Sequence, residues 1–289
     1  MTTMPADGHV HSEWSWDASD GSMERTCQRA IDLGLPAVAF TEHVDLTPWI
    51  VRPGELDPFP QLKAHESGGT LIPPEFNASG YLECVERCRE MFPDVRIISG
   101  VEIGEPHWYA GEVAKILGAG PFDRVLGSLH SLPFETGFAE PPNHYRQRPA
   151  AEVVRDYLAE ISRLVEQCDA FGVLAHIDYP LRYWPQDAGP FDPTAFEDEF
   201  RDALRALASR GRVLEVNTAS RPRPEIVRWW REEGGEAVTF GSDAHSPAEL
   251  ARGFAEAVAI VEAHGFRPGR HPYDRWTIPA PQHLGECPL

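Results

Sequence analysis

The sequence predicts an α/β barrel of parallel strands with a metal cluster at its C-terminal mouth. Three observations point there. Seven short apolar runs alternate with helical patterns along the 289 residues, the rhythm of parallel strands joined by right-handed crossovers. The first run carries Asp7-Gly8-His9-Val10-His11, and the last leads into Ser242-Asp243-Ala244-His245. Residues i and i+2 of an extended chain project from one face. His9 with His11, and Asp243 with His245, therefore aim ligand groups at a common spot.

The strands are expected at 6–11, 37–42, 96–102, 124–129, 172–177, 213–217 and 237–241. Between them, residues 23–33 form a helix that ends at Gly34, a favourable C′ position. Residues 152–167 carry Val153, Val154, Leu158, Ile161, Leu164 and Val165 as an amphipathic stripe. Helices follow at 194–209, before Gly211, and at 225–233, before Gly234-Gly235. The last, 247–264, starts with Ser246 as N-cap and Pro247 at N1 and ends at Gly265. Residues 47–79 and 133–149 are rich in Pro and Gly and follow ligand-bearing strands, so they read as lids or substrate walls. The Pro-rich tail 267–289 is expected to wrap the surface. The whole chain, 1–289, reads as one barrel domain, a common length for that architecture.

Composition narrows the function. Net charge is −19, from 26 basic and 45 acidic residues, which argues against a general binder of nucleic acid or membrane surfaces. An anionic small substrate stays compatible, because bound divalent cations dominate the field at a site. No stretch approaches the roughly 20 apolar residues of a membrane span. The N-terminal residues lack the basic and apolar regions of a signal peptide. The five cysteines, Cys27, Cys84, Cys88, Cys168 and Cys287, are scattered and odd in number and read as structural thiols of a reduced cytoplasm.

Barrel active sites lie at the C-terminal ends of the strands. There this chain carries His9 and His11, Thr41-Glu42-His43, Gly100-Val101-Glu102, Ser128-Leu129-His130, Ala175-His176-Ile177-Asp178, Glu215-Val216-Asn217-Thr218, and finally Asp243 and His245. One histidine at a strand end is usually a hydrogen-bonded rim residue. His, Asp or Glu on six of seven strands is a pattern. Imidazoles mixed with carboxylates suit Zn, Fe or Mn better than Ca or Mg. Six histidines and several carboxylates exceed the needs of one ion, so two or three are expected, with Glu102 as a bridge. His65, His107, His144, His264, His271 and His283 are assigned no metal role, although His107 and His144 are candidates for lining the mouth.

These motifs, in this order over residues 7 to 245, resemble the PHP (polymerase and histidinol phosphatase) superfamily, and the single-domain length resembles its histidinol-phosphatase branch. The resemblance implies a distorted (β/α)7 barrel with up to three divalent metals. Carried over by position, His9, His11, Glu102 and Asp243 would hold one ion. Glu102, His130 and His176 would hold a second, and His43 and His245 a third, with Asp17 in the place of the family's Asp or His after the first motif. Glu42 and Asp178 are the candidates for catalytic support, Glu42 pointing away from His43. Arg182 and Arg221, on loops expected to face the mouth, are the candidates for binding phosphate, ahead of Arg223 and Arg52; arginine suits bidentate phosphate contacts.

The activity implied is a metal-dependent phosphomonoesterase in which water activated by the ions attacks phosphorus in line. L-histidinol phosphate, in histidine biosynthesis, is the leading substrate. The segment 131–138 and the aromatic loop 178–185 depart from that branch, and Trp14, Trp16, Tyr183 and Trp184 could wall the site. A sugar-phosphate phosphatase of a specialised pathway, a 3′–5′ exonuclease or nucleotide phosphatase, and a non-catalytic metal-binding regulatory protein are the alternatives. The acidic balance counts against long nucleic acid. The partner expected is a small phosphorylated substrate, with no membrane.

Overall fold

The computed structural model describes residues 4–279. Seven parallel strands follow one another in a curled sheet: β1 Asp7–Val10, β2 Ala37–Val44, β3 Arg96–Gly104, β4 Arg124–Ser128, β5 Val173–Leu174, β6 Val213–Asn217 and β7 Ala237–Gly241. Around it lie α1 Met23–Leu33, α2 Ala78–Met91, α3 Ala110–Leu117, α4 Ala150–Gln167, α5 Glu197–Ser209, α6 Pro224–Glu232 and α7 Phe254–Ala263. Strand–helix alternation thus yields the parallel α/β sheet, curled toward a barrel.

An eighth strand, β8 Trp276–Thr277, was not expected. It pairs antiparallel with the start of β7, Val238 opposite Trp276, and buries Trp276 in the main core. The described part of the tail therefore docks as a strand. This docking explains the distortion of the barrel. β8 occupies the edge where β1 would meet β7, so the two join only at the mouth. There the Asp243 N–H donates to His9 O and the His11 N–H to Ala244 O, both at 2.9 Å. Asp7 Oδ1 accepts the Ser242 N–H at 3.0 Å.

Helix ends follow local chemistry. Ser22 Oγ caps α1, and Gly34 ends it at φ 69°, a conformation a Cβ disfavours. The apolar stripe of α4 packs into the core with Phe200, Leu204 and Trp229. α2, capped by Asn77, and the eight-residue α3 were not expected. α3 is too short to show a period, and α2 starts where the Pro/Gly-rich segment ends.

Several segments differ from expectation. The helix expected at 247–264 is a 3₁₀ turn, Pro247–Glu249, then a break before α7. The Ala251 N–H leaves the helical pattern for Asp7 Oδ2 at 2.9 Å, and Ala251 (φ 55°) and Gly253 (φ 74°) turn the chain. Ser246 caps nothing; its hydroxyl bonds Glu249. The fifth strand stops at Leu174, because the His176 N–H is taken by Glu215 Oε2 at 2.9 Å. The segments 47–79 and 133–149 are built rather than bare. The first holds a three-stranded antiparallel sheet of Trp49–Ile50, Thr70–Leu71 and Glu66–Ser67. The second, with Leu132, forms a hairpin, Leu132–Phe134 with Gly137–Ala139, and a one-turn helix, Pro141–Tyr145. Asn143 Nδ2 joins the two segments by donating to Ile50 O and to Glu55.

Cys27, Cys84, Cys88 and Cys168 are free and buried. Burial, with Cys88 adjacent, pushes the Cys27 thiol upward, the inert behaviour of a packed thiol. His283 and Cys287 lie outside the described residues. No helix among the described residues is long and apolar enough to cross a membrane.

Candidate metal centre

Strand register assembles the site. His43 and Glu102 are directly paired across β2 and β3, so their side chains leave the same face of the sheet. Closure at the mouth brings β1 and the residues after β7 to the same place. Asp243 adopts φ 54° there, a left-handed conformation that Asp tolerates better than most residues.

The first four carried-over residues converge. His9 Nε2 lies 3.0 Å from His11 Nε2, 3.1 Å from Glu102 Oε2 and 3.6 Å from Asp243 Oδ1. His11 Nε2 lies 3.1 Å from Asp243 Oδ1 and 3.5 Å from Glu102 Oε2. Donors held ~2.0–2.1 Å from a tetrahedral ion are spaced by about 3.4 Å. Glu102 Oε1 points the other way, 2.6 Å from His176 Nε2 and 3.4 Å from His130 Nε2. Asp17 Oδ2 lies 3.3 Å from His245 Nε2 and 3.5 Å from His43 Nε2. His43 also turns Nδ1 to Glu102 Oε2 at 3.2 Å, so its ring spans the gap between the Asp17 group and the Glu102 groups.

The hydrogen-bond network sets the ring tautomers. His9 Nδ1 is 2.8 Å from Glu215 Oε1 and donates to it. Ser15 Oγ gives its own proton to Glu42 at 2.6 Å, so at 3.0 Å it accepts from His11 Nδ1. Nε2 of each ring then faces the cluster, the two 3.0 Å apart and buried. Lone pairs at that distance repel unless a cation sits between or beside them, a proton or a metal ion; against burial, the carboxylates of Glu215, Glu102 and Asp243 raise His9 well above the ordinary histidine range. Glu42 lies behind the cluster, bonded to Ser12 and Ser15, and reaches His11 through Ser15.

Charge tells the same story. Glu102 is fully buried. Burial pushes its carboxyl up, but His9, His43, His130 and His176 outweigh that and hold it well below the usual carboxylate range. Asp243 is likewise lowered, burial being overcome by Arg182 and His9. Burial and the neighbouring His43 and His245 lower His11 to about 3, a neutral imidazole. Against burial, Asp17 lifts His245 to about 10. A buried carboxylate cluster of this kind requires cations, and imidazole and carboxylate donors suit transition metals. The residues present therefore fit divalent metal ions.

The sequence reading passed over three of these partners. Asp45 accepts from His130 Nδ1 at 3.1 Å and from Trp16 Nε1 at 3.0 Å. It stands at i+2 from His43, and that spacing was the signal. Glu215 holds His9. Glu105 accepts the backbone N–H groups of His130 and Ser131 at 2.6 and 2.9 Å.

Above the cluster opens a cavity of about 800 Å³. Trp16, Trp49 and Phe59 form an apolar side; Glu140, Tyr179 and Arg182 line it as well. Both long segments contribute to this wall. Arg182 stands at the cluster, donating through Nη2 to Asp243 Oδ2 at 2.6 Å and Asn217 Oδ1 at 3.1 Å. Its Nε is buried without a partner.

Several expected residues stand elsewhere. Arg221 is 84% exposed and pairs with Glu256 on α7, because the chain after β6 carries it outward. Asp178 is buried beside Arg223 Nε, at 3.9 Å, and does not line the cavity. His107 is buried against Glu160 of α4, and His144 packs on Phe134. Trp14 packs over Gly80 of α2, and Trp184 against Phe191 and Phe196. Tyr183 does reach the cavity.

A PHP domain family model matches residues 7–219. A histidinol-phosphatase of Lactococcus lactis subsp. lactis (strain IL1403) is 25% identical over 268 residues, 90% of this chain and 91% of that protein. A probable histidinol-phosphatase of Deinococcus radiodurans is 29% identical over 271 residues, 90% and 94%. The crystal structure of the Lactococcus lactis histidinol phosphate phosphatase, complexed with zinc, L-histidinol and phosphate, superposes with a TM-score of 0.76 at 22% identity, covering 95% of this chain and 97% of that one.

Proposed function

The chain belongs to the PHP domain family, and from that premise we propose that it is a metal-dependent phosphomonoesterase whose substrate is L-histidinol phosphate, released as L-histidinol and phosphate. The observation that carries the reading is the convergence of His9 Nε2 and His11 Nε2, 3.0 Å apart, on the buried carboxylates of Glu102 and Asp243.

In this reading His9, His11, Glu102 and Asp243 hold one ion, Glu102, His130 and His176 a second, and Asp17, His43 and His245 a third. When bound, the ions supply water activation near neutral pH and charge stabilisation on the phosphoryl oxygens. Arg182 binds the phosphoryl group through the free part of its guanidinium, with Nη2 fixed by Asp243 and Asn217. Arg221 has no part in binding. Asp45, Glu215, Ser15 and Glu42 orient the ligating rings, in the manner typical of groups behind metal ligands.

The leaving group faces Glu140. Burial raises that carboxyl to about 7, even though the Tyr179 hydroxyl donates to it at 2.7 Å. A cationic leaving group, such as the amino alcohol L-histidinol, satisfies the charge that burial otherwise suppresses. The width of the cavity and its Trp16–Trp49 side favour, as a second reading, a bulkier ester such as a sugar phosphate. The deciding experiment is phosphate release by the zinc- or manganese-loaded protein from a panel of phosphorylated metabolites. L-histidinol phosphate is expected to give the highest kcat/KM. A higher value for a sugar phosphate moves the assignment to the second reading, and no turnover of any phosphomonoester refutes both.

A further inference from the structure

Glu215 lies inside the barrel on β6, 4% exposed, and each of its oxygens is committed. Oε1 accepts from His9 Nδ1 at 2.8 Å. Oε2 accepts from the His176 N–H at 2.9 Å and from Asn217 Nδ2 at 3.0 Å. That last bond fixes which way the Asn217 amide faces. With Nδ2 turned to Glu215, Oδ1 faces outward, where it accepts from Arg182 Nη2 at 3.1 Å and from the Ala219 N–H at 2.9 Å. Glu215 and Asn217 are i and i+2 on one strand, so the alternation that faces both inward also puts them in contact. The space Glu215 fills exists because β7 has glycine, Gly241, opposite Asn217. A Cβ at Gly241 would overlap the Glu215 carboxylate and come within 2.6 Å of the His9 Cβ.

We infer that Glu215 and Asn217 are positioning residues that couple the metal centre to the phosphate-binding arginine. This rests on the metal-dependent phosphatase reading above. One carboxylate sets the His9 tautomer from behind, holds the backbone of His176, and orients an amide that presents an acceptor to Arg182. Arg182 in turn bonds Asp243, whose other oxygen faces His11 at 3.1 Å. The chain of contacts runs in a ring from His9 through Glu215, Asn217, Arg182 and Asp243 to His11. Its orientation is forced: Arg182 offers only donors, so a flipped Asn217 would present Nδ2 to Arg182 and Oδ1 to the Glu215 carboxylate, two mismatches at once.

The test separates metal binding from phosphate binding, with calorimetry of inorganic phosphate on the zinc-loaded protein and metal content measured alongside. Asn217→Ala is expected to keep its metal content and to weaken phosphate binding about 10-fold, roughly the loss of one hydrogen bond to a charged group. Combined with Arg182→Ala, it should add nothing, because it acts through that residue. Glu215→Gln should lower zinc affinity by about 10- to 100-fold, the usual cost of losing a partner behind a ligand, and weaken phosphate binding as well. Asn217→Ser, a smaller change, serves if Asn217→Ala does not fold. Unchanged phosphate affinity in the Asn217 variants, or full additivity with Arg182→Ala, overturns the coupling. Failure of the wild-type protein to bind zinc or phosphate overturns instead the reading on which the coupling stands.

Discussion

Arg182 is clamped by Asp243: its Nη2 lies 2.6 Å from Oδ2, while Oδ1 of the same carboxylate lies 3.1 Å from His11 Nε2. One carboxylate thus serves the metal centre and the guanidinium together. Removing the guanidinium takes away a counter-charge to Asp243 and, on the proposed reading, a phosphate contact. Arg182→Ala is expected to raise KM for p-nitrophenyl phosphate by on the order of 10- to 100-fold, from the ~1.5–3 kcal/mol of hydrogen bonds to charged groups. Arg182→Lys should not restore it, since an ammonium lacks the planar fork. Steady-state kinetics decide, and an unchanged KM removes Arg182 from phosphate binding.

Arg221 provides the matching control. Its side chain is 84% exposed and its ion pair with a half-exposed Glu256 lies at the surface, where such pairs contribute little. Arg221→Ala should leave kcat and KM within about twofold, as surface substitutions usually do. A large rise in KM would show that the loop after β6 closes over substrate.

Glu102 joins the two inner groups of ligands through its separate oxygens. Glu102→Gln and His176→Ala should each abolish hydrolysis while far-UV circular dichroism stays native. Elemental analysis should find at least one ion fewer per chain. Chelation should silence the wild-type protein, and divalent zinc or manganese should restore it. Because the ligands must be deprotonated, metal affinity should fall as pH falls. Full activity after exhaustive metal removal contradicts the assignment.

Glu140 is raised to about 7 by burial, so it gains charge as pH rises through neutrality. For a cationic leaving group, KM should fall over that range, and Glu140→Gln should flatten the profile. The linkage runs the opposite way for stability. A carboxyl raised in the folded state, from 4.5 to about 7, contributes stability that is complete below about 4.5 and lost as pH rises through about 7. Glu140→Gln should therefore raise the Tm of the metal-loaded, substrate-free protein at pH 8 and change it little at pH 5. A Tm difference of the opposite sign shows that the carboxyl is paired in the free protein.

Gly241 stands opposite Asn217 in the β6–β7 ladder, and any Cβ there runs into Glu215 and His9. Gly241→Ala should cost ~1–3 kcal/mol, the usual penalty for overpacking, and should lower metal content too. A denaturant midpoint and metal content equal to wild type would show that the barrel interior yields at this point.

The clustered histidines and carboxylates were legible because their pattern is local. His9 with His11 and Asp243 with His245 announce themselves by spacing, and strand ends are where a barrel gathers its chemistry. The helices that escaped notice, α2 and α3, either adjoin a Pro/Gly-rich segment or are too short for a period. Asp45 had the right i+2 spacing from His43 but lay beyond the expected end of its strand. Arg221 was misplaced because a sequence shows that a loop follows β6 but not which way each of its side chains turns.

Sequence alone determined the α/β alternation, the order of the strands and the identity of the residues at their C-terminal ends, since period and turn chemistry act over a few residues. Tertiary structure decided the rest. β8 wedges beside β7 and leaves the barrel to close only at its mouth, and that closure carries Asp243 to His9 and His11. The tautomers of those histidines depend on Glu215, some two hundred residues away in sequence, and on Ser15, whose proton is committed to Glu42. Contacts of that kind arise only when distant segments pack, because a hydrogen bond's direction depends on three-dimensional position and not on spacing along the chain.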